Sequence, residues 1–131
     1  MKMINFNKHT ASFRLNDQKI GTWLVPTFWE LTRNQDVVII PTSELIDIIL
    51  GYVNNDYDED DWNRVELADL SYPIIVSDKY GILDGCHRVV KAYLLGHTEV
   101  VCVRLNTLPA PLYEWDSWEQ LDRDWNSVVG L

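Results

Sequence analysis

The stretch Pro73–Gly96, PIIVSDKYGILDGCHRVVKAYLLG, decides the fold. Ile74-Ile75-Val76 is a β-branched run of the kind that forms a buried strand. Ser77 to Gly81 is rich in turn formers, and Ile82-Leu83 opens a second strand that runs into Asp84-Gly85. A β-hairpin follows. From Cys86 to Leu95 the apolar residues Val89, Val90, Tyr93 and Leu94 recur at helical spacing, and Gly96 stands where a left-handed C-terminal cap favours glycine. Strand, turn, strand and helix are predicted in that order, with Asp84-Gly85 as the junction between sheet and helix.

Working outward, Trp62, Val65, Leu67, Ala68 and Leu70 predict a short helix that Pro73 stops. Asn54 to Asp61 is acidic and aperiodic, so it reads as a solvated loop or as the start of that helix. Val37 to Ile40 suits a strand, after which Thr42 is a candidate cap for a helix carrying Leu45, Ile46, Ile49 and Leu50 and ending near Gly51. Ile20, Thr22, Trp23 and Val25 suit another strand after a turn at Asn16-Asp17, while Phe28 to Leu31 fits a short helix or an irregular apolar corner. On the C-terminal side, Glu99 to Leu105 predicts a strand and Asn106 to Pro111 interrupts it. Trp115, Trp118, Leu121, Trp125 and Val128 then predict an amphipathic helix over about 114–128, its tryptophans serving the core or forming an interaction ridge. The expectation is one domain, 1–131, of α+β class, with a small mixed sheet and flanking helices.

Charge narrows the function. The chain carries 20 Asp and Glu against 11 Lys and Arg, a net of −9, so a groove for nucleic acid, which needs clustered cations, is not expected. The acidity belongs to the later part, at Asp56, Asp58, Glu59, Asp60 and Asp61 and again at Glu114, Asp116, Glu119, Asp122 and Asp124. A hydrophobic share of 47% excludes a disordered acidic tail. The two cysteines make no disulfide framework, and no basic leader runs into an apolar segment, so a cytoplasmic setting is expected. Apolar runs such as Val100 to Val103 fall far short of the ~20 residues that a membrane span needs.

His87, Arg88 and Lys91 stand early in the helix after Gly85. Cations there oppose the helix dipole by ~0.3–1 kcal/mol each, so something should compensate. An anion of phosphate size would accept from the free N–H groups and from these side chains, and Gly85 would allow its close approach. Neutralisation by Asp84, Asp78 or the acidic loop is the alternative.

Asp84-Gly85-Cys86-His87-Arg88, with the strand Pro73 to Val76 before it and Lys91-Ala92 and Gly96 after it, resembles the ParB and sulfiredoxin-like superfamily over roughly residues 68–105. The resemblance implies a corner that binds nucleotide phosphates through Asp84, Gly85, Cys86, His87, Arg88 and Lys91, with ATP or CTP as ligand and Mg2+ as a candidate companion. Gly85 to Arg88 match the Gly-Cys-His-Arg of sulfiredoxins, where the cysteine is the nucleophile and the histidine and arginine hold ATP. That implies Cys86 and His87 as catalytic candidates. Related small-molecule kinases use a glutamate as base, which adds Glu44, although a carboxylate in a first helical turn also serves the dipole. Asp84 stands where sulfiredoxins have glycine and Leu83 where they have an aromatic, so a ParB-like nucleotide-binding domain is the closer likeness. Phosphotransfer and nucleotide hydrolysis both stay open.

Cys86, at a helix start beside His87 and Arg88, occupies an environment that lowers a thiol pKa; the alternative is a small packed residue under Val90. Cys102 reads as core. His9 and His97 have no partners at metal-ligand spacing, and the acidic run lacks the glycine and terminal glutamate of a calcium loop, so no metal ligands are assigned. Nuclease activity is disfavoured by the net charge and by the lack of a metal cluster. The competing function is a non-enzymatic acidic module that keeps the fold and binds a basic protein partner.

Overall fold

A computed structural model describes residues 10–128, with side chains through Trp125; His9 and the side chain of Val128 lie outside the described residues. In chain order the elements are β1 (Thr10–Arg14), β2 (Ile20–Leu24), α1 (Val25–Thr32), β3 (Val38–Pro41), α2 (Thr42–Asp56), α3 (Glu59–Leu67), β4 (Ile74–Ser77), β5 (Gly81–Asp84), α4 (Cys86–Leu94), β6 (Glu99–Arg104), β7 (Tyr113–Trp115) and α5 (Trp118–Val128). Among the described residues this is a small mixed α+β protein of five helices and two sheets. Among the described residues no helix is long and apolar enough to cross a membrane. The chain divides into two compact units, one running up to Leu31 and resuming at Thr107, the other Thr32–Asn106.

The first unit holds the antiparallel sheet β1-β2-β7. Asn16 makes the turn between β1 and β2, its Oδ1 accepting from the N–H groups of Gln18 and Lys19 at 2.7 and 2.9 Å. Trp115 pairs with Ile20, and its indole Nε1 donates to Thr22 Oγ1 at 2.9 Å. Ile20, Trp115 and Trp125 form a buried cluster in which the two indoles stack 6.3 Å apart.

The second unit holds the sheet β3-β6-β4-β5, in which β4 and β6 run parallel and the other pairs antiparallel. All four residues of β4 are buried, as expected for a β-branched run inside a sheet. Alternation on β6 turns Val100 and Cys102 into the core and leaves Glu99 and Val101 exposed. Leu45, Ile46, Ile49 and Val53 of α2, Val65 of α3 and Val89, Val90 and Ala92 of α4 complete that core. Gly96 follows α4 at φ 80°, and its N–H donates to Tyr93 O, the cap the sequence predicts.

Several expectations shift. Val25 opens α1 instead of extending β2, and Ala68 and Leu70 lie past the end of α3 at Leu67. Helix α2 continues past Gly51 to Asp56 because Val53 extends the buried stripe by one turn, which outweighs the ~1 kcal/mol cost of a helical glycine. Pro41, not Thr42, is its cap residue, since β3 keeps pairing through Pro41 opposite Glu99 and leaves Thr42 as the first helical residue. Trp115 lies in β7, not in the closing helix: a three-residue strand is too short to show a period of its own. Trp125 is buried, and Trp118 is the exposed member of the three.

Candidate functional site

At the end of β5 the chain leaves the sheet at Asp84, turns at Gly85 and enters α4 at Cys86. Gly85 has φ 114° and ψ 20°, a left-handed conformation that side chains rarely adopt. A Cβ there would lie 2.8 Å from Arg88 Nη2 and 3.1 Å from Ile74 Cγ1, so it would displace the guanidinium tip, while the dihedral is the firmer constraint. No side chain caps α4, and its first bonded amide is Val89 N–H, which donates to Gly85 O at 2.9 Å. The first-turn N–H groups before it have no intrahelical acceptor.

Arg88 folds back over this glycine. Its Nη2 donates to Asp84 Oδ2 and to Pro73 O, each at 3.3 Å, while its Nε is buried without a hydrogen-bond partner. His87 turns the other way, its Nε2 lying 3.1 Å from Asp61 Oδ1. Asp61 is itself part of a capping box: its N–H donates to Asp58 Oδ1 at 2.9 Å, and its carboxylate accepts from Asp58 N–H at 3.2 Å. Burial raises the Asp61 pKa, but the hydrogen bonds from His87 and Asp58 outweigh it and hold the carboxyl below its ordinary 3.8. Tyr57 packs against the imidazole with ring centroids 5.7 Å apart. Its hydroxyl is buried without a partner, and burial pushes its pKa well up.

Lys91 is spent on structure. Its Nζ donates to Glu66 O and Ala68 O, both at 2.8 Å, closing the C-terminal end of α3, where a cation complements the dipole. Of the other two neutralising groups the sequence offers, Asp84 pairs with Arg88, whereas Asp78 is committed to Arg104.

Cys86 packs against the core cluster of the second unit. Burial pushes the thiol up to about 11, the Asp84 charge adds to this, and Arg88 only partly opposes it. Cys102, in the core, is likewise raised to about 11. Glu44 is not brought to this corner. It lines a cleft together with Gly81, which the length of β5 puts roughly 10 Å from Asp84 at the other end of the strand. Among the described residues no group of three or more His, Cys, Asp or Glu could hold a metal ion.

Asp61 and Tyr57 are the partners that reading the residues one by one overlooks. Asp58 and Asp61 stand at capping-box spacing before Trp62, a pattern that marks a helix start and so removes Asp61 from a solvated loop. Comparisons with protein families, with curated proteins and with solved structures find no match to this chain.

Proposed function

We propose that the Gly85–Arg88 corner binds the phosphates of a nucleoside triphosphate, ATP or CTP, in the manner of a ParB-like domain. The observation that carries this reading is Arg88: a guanidinium folded against an uncapped helix start, with its Nε–H unpaired. A phosphate at the first turn of α4 accepts from backbone N–H groups and takes Arg88 in bidentate fashion, which relieves the unpaired donor. Gly85 lets the Arg88 guanidinium lie close against the backbone at the helix start, and His87 supplies a second side-chain contact when Asp61 releases it. Lys91 holds α3 in place behind the site. Mg2+, where present, would enter with the phosphates. Calorimetric titration of the full chain with ATP and with CTP, each with and without Mg2+, tests this: saturable binding supports it, and no heat at millimolar nucleotide rejects it.

The second reading is an acidic module for a basic protein partner. It is favoured by the internal pairing at the same corner, where Asp84 engages Arg88 and Asp61 engages His87. Asp56, Glu59 and Asp60 are exposed beside it. Changing these three to Asn, Gln and Asn should then slow association with a basic partner in a salt-dependent way, and should leave nucleotide binding unaltered.

A further inference from the structure

A cleft of about 240 Å³ opens between α2 and the β4–β5 turn, at the end of the hairpin away from Gly85. Its apolar wall is Ile40, Leu45, Ile48 and Val76. Gly81 lines it at φ 81°, a backbone conformation that favours glycine, and Ile48 Cγ2 lies 3.5 Å from where a Cβ would be.

Three polar groups of different kind line the same space. Glu44 is exposed in the first turn of α2 and forms no hydrogen bond or ion pair with any described residue. Ser77 is 5% exposed, and its Oγ accepts from the N–H groups of Lys79 and Tyr80, each at 3.2 Å. Its own O–H has no acceptor among the described residues, an unspent donor in a buried position. Arg104 donates from Nη1 to Asp78 Oδ1 at 2.8 Å, which leaves its Nε and Nη2 donors without an acceptor among the described residues. Asp78 is held in turn by Asn106 Nδ2 at 3.0 Å, so its carboxylate is taken and its role is to fix the guanidinium.

An unspent hydroxyl proton beside a guanidinium with free donors suits a carboxylate. The unpaired carboxylate of Glu44 suits an ammonium, and the apolar wall suits a short aliphatic chain. The volume falls below the ~300–1,000 Å³ of drug-sized pockets and matches a molecule of amino-acid size. From this juxtaposition we propose that the cleft binds a free α-amino acid with an aliphatic side chain, its carboxylate at Ser77 and Arg104 and its ammonium at Glu44. The site is independent of the phosphate-binding proposal.

Calorimetry on the full chain tests it with three probes: L-leucine, 4-methylpentanoate, which lacks the ammonium, and 3-methylbutylamine, which lacks the carboxylate. Leucine should bind saturably, and each truncated probe should bind about tenfold more weakly or worse, the value of one lost charge-assisted contact. Glu44→Gln, an exposed substitution that leaves folding intact, should weaken leucine and 3-methylbutylamine and spare 4-methylpentanoate. Arg104→Lys should do the converse for the carboxylate. Absence of saturation by leucine at about 10 mM, or an unchanged leucine affinity in Glu44→Gln, overturns the proposal.

Discussion

Asp61 Oδ1 lies 3.1 Å from His87 Nε2, and the contact ties the first turn of α3 to the first turn of α4. One carboxylate therefore closes a capping box and holds the imidazole next to the candidate phosphate corner. Asp61→Ala should lose the bond from Asp58 N–H and the contact with His87, while the Asp58 carboxylate still caps α3 through the Asp61 backbone N–H; each lost hydrogen bond costs about 0.5–1.5 kcal/mol. Urea denaturation at neutral pH reads this; a midpoint equal to wild type would show that neither contact contributes.

The same pair sets an acid limb. The Asp61 carboxyl is held below its ordinary 3.8 in the folded state, so its contribution is present above that value and is lost as pH falls through the lower folded pKa. Asp61→Asn should flatten the stability profile in the region below about pH 4 and leave its slope above pH 5 unaltered. Thermal melts across pH 2–6 check it, and parallel acid limbs in the two proteins would contradict it.

Two glycines should respond oppositely to alanine. At Gly85 the left-handed backbone and the 2.8 Å approach to Arg88 Nη2 make Gly85→Ala destabilising by ~1–3 kcal/mol. At Gly51, inside α2 with nothing within 4 Å of a new Cβ, Gly51→Ala should stabilise by ~0.5–1 kcal/mol. Equilibrium unfolding distinguishes the signs. A destabilised Gly51→Ala would mean that the helix ends where its sequence first suggests.

Lys91→Met keeps much of the apolar stem and removes two hydrogen bonds to the end of α3. A loss of ~1–3 kcal/mol is expected in urea unfolding, with nucleotide affinity within about twofold of wild type. A variant of unchanged stability that lost its nucleotide affinity would return Lys91 to the phosphate.

The thiol of Cys86, at about 11, should be slow to alkylate at pH 7 and should accelerate steadily as pH rises toward that value. Site-resolved mass spectrometry after iodoacetamide treatment measures it. Rapid modification at neutral pH would restore the sulfiredoxin-like nucleophile.

The hairpin, the helix after it and its glycine cap were legible in 73–96 because each local signal agrees with the packing: β-branched residues where β4 is buried, helical spacing where α4 meets the core, and glycine where φ is positive. The end of α2 was not legible at Gly51, since one buried valine a turn later decides it. Trp115 fits a helical period by coincidence, and its strand is defined by pairing with Ile20, some 95 positions away in the chain. At the corner, Gly85, His87 and Arg88 were legible as a group. Their carboxylate partners were only half so: Asp84 is adjacent, whereas Asp61 reaches His87 across 26 residues, and no local pattern records that contact. For Cys86 the sequence left two environments open, a helix start that lowers a thiol pKa and a packed position that raises it, and burial decides between them.

The central claim rests on Arg88, and the most direct measurement compares nucleotide affinity in wild type and Arg88→Ala by calorimetry, with circular dichroism confirming that the variant folds. Wild type should bind ATP or CTP saturably, and Arg88→Ala should bind about 1.5–3 kcal/mol more weakly, the value of a charge-assisted hydrogen bond. Equal affinity in the two proteins, or no binding to wild type at millimolar nucleotide, would contradict phosphate recognition at this corner.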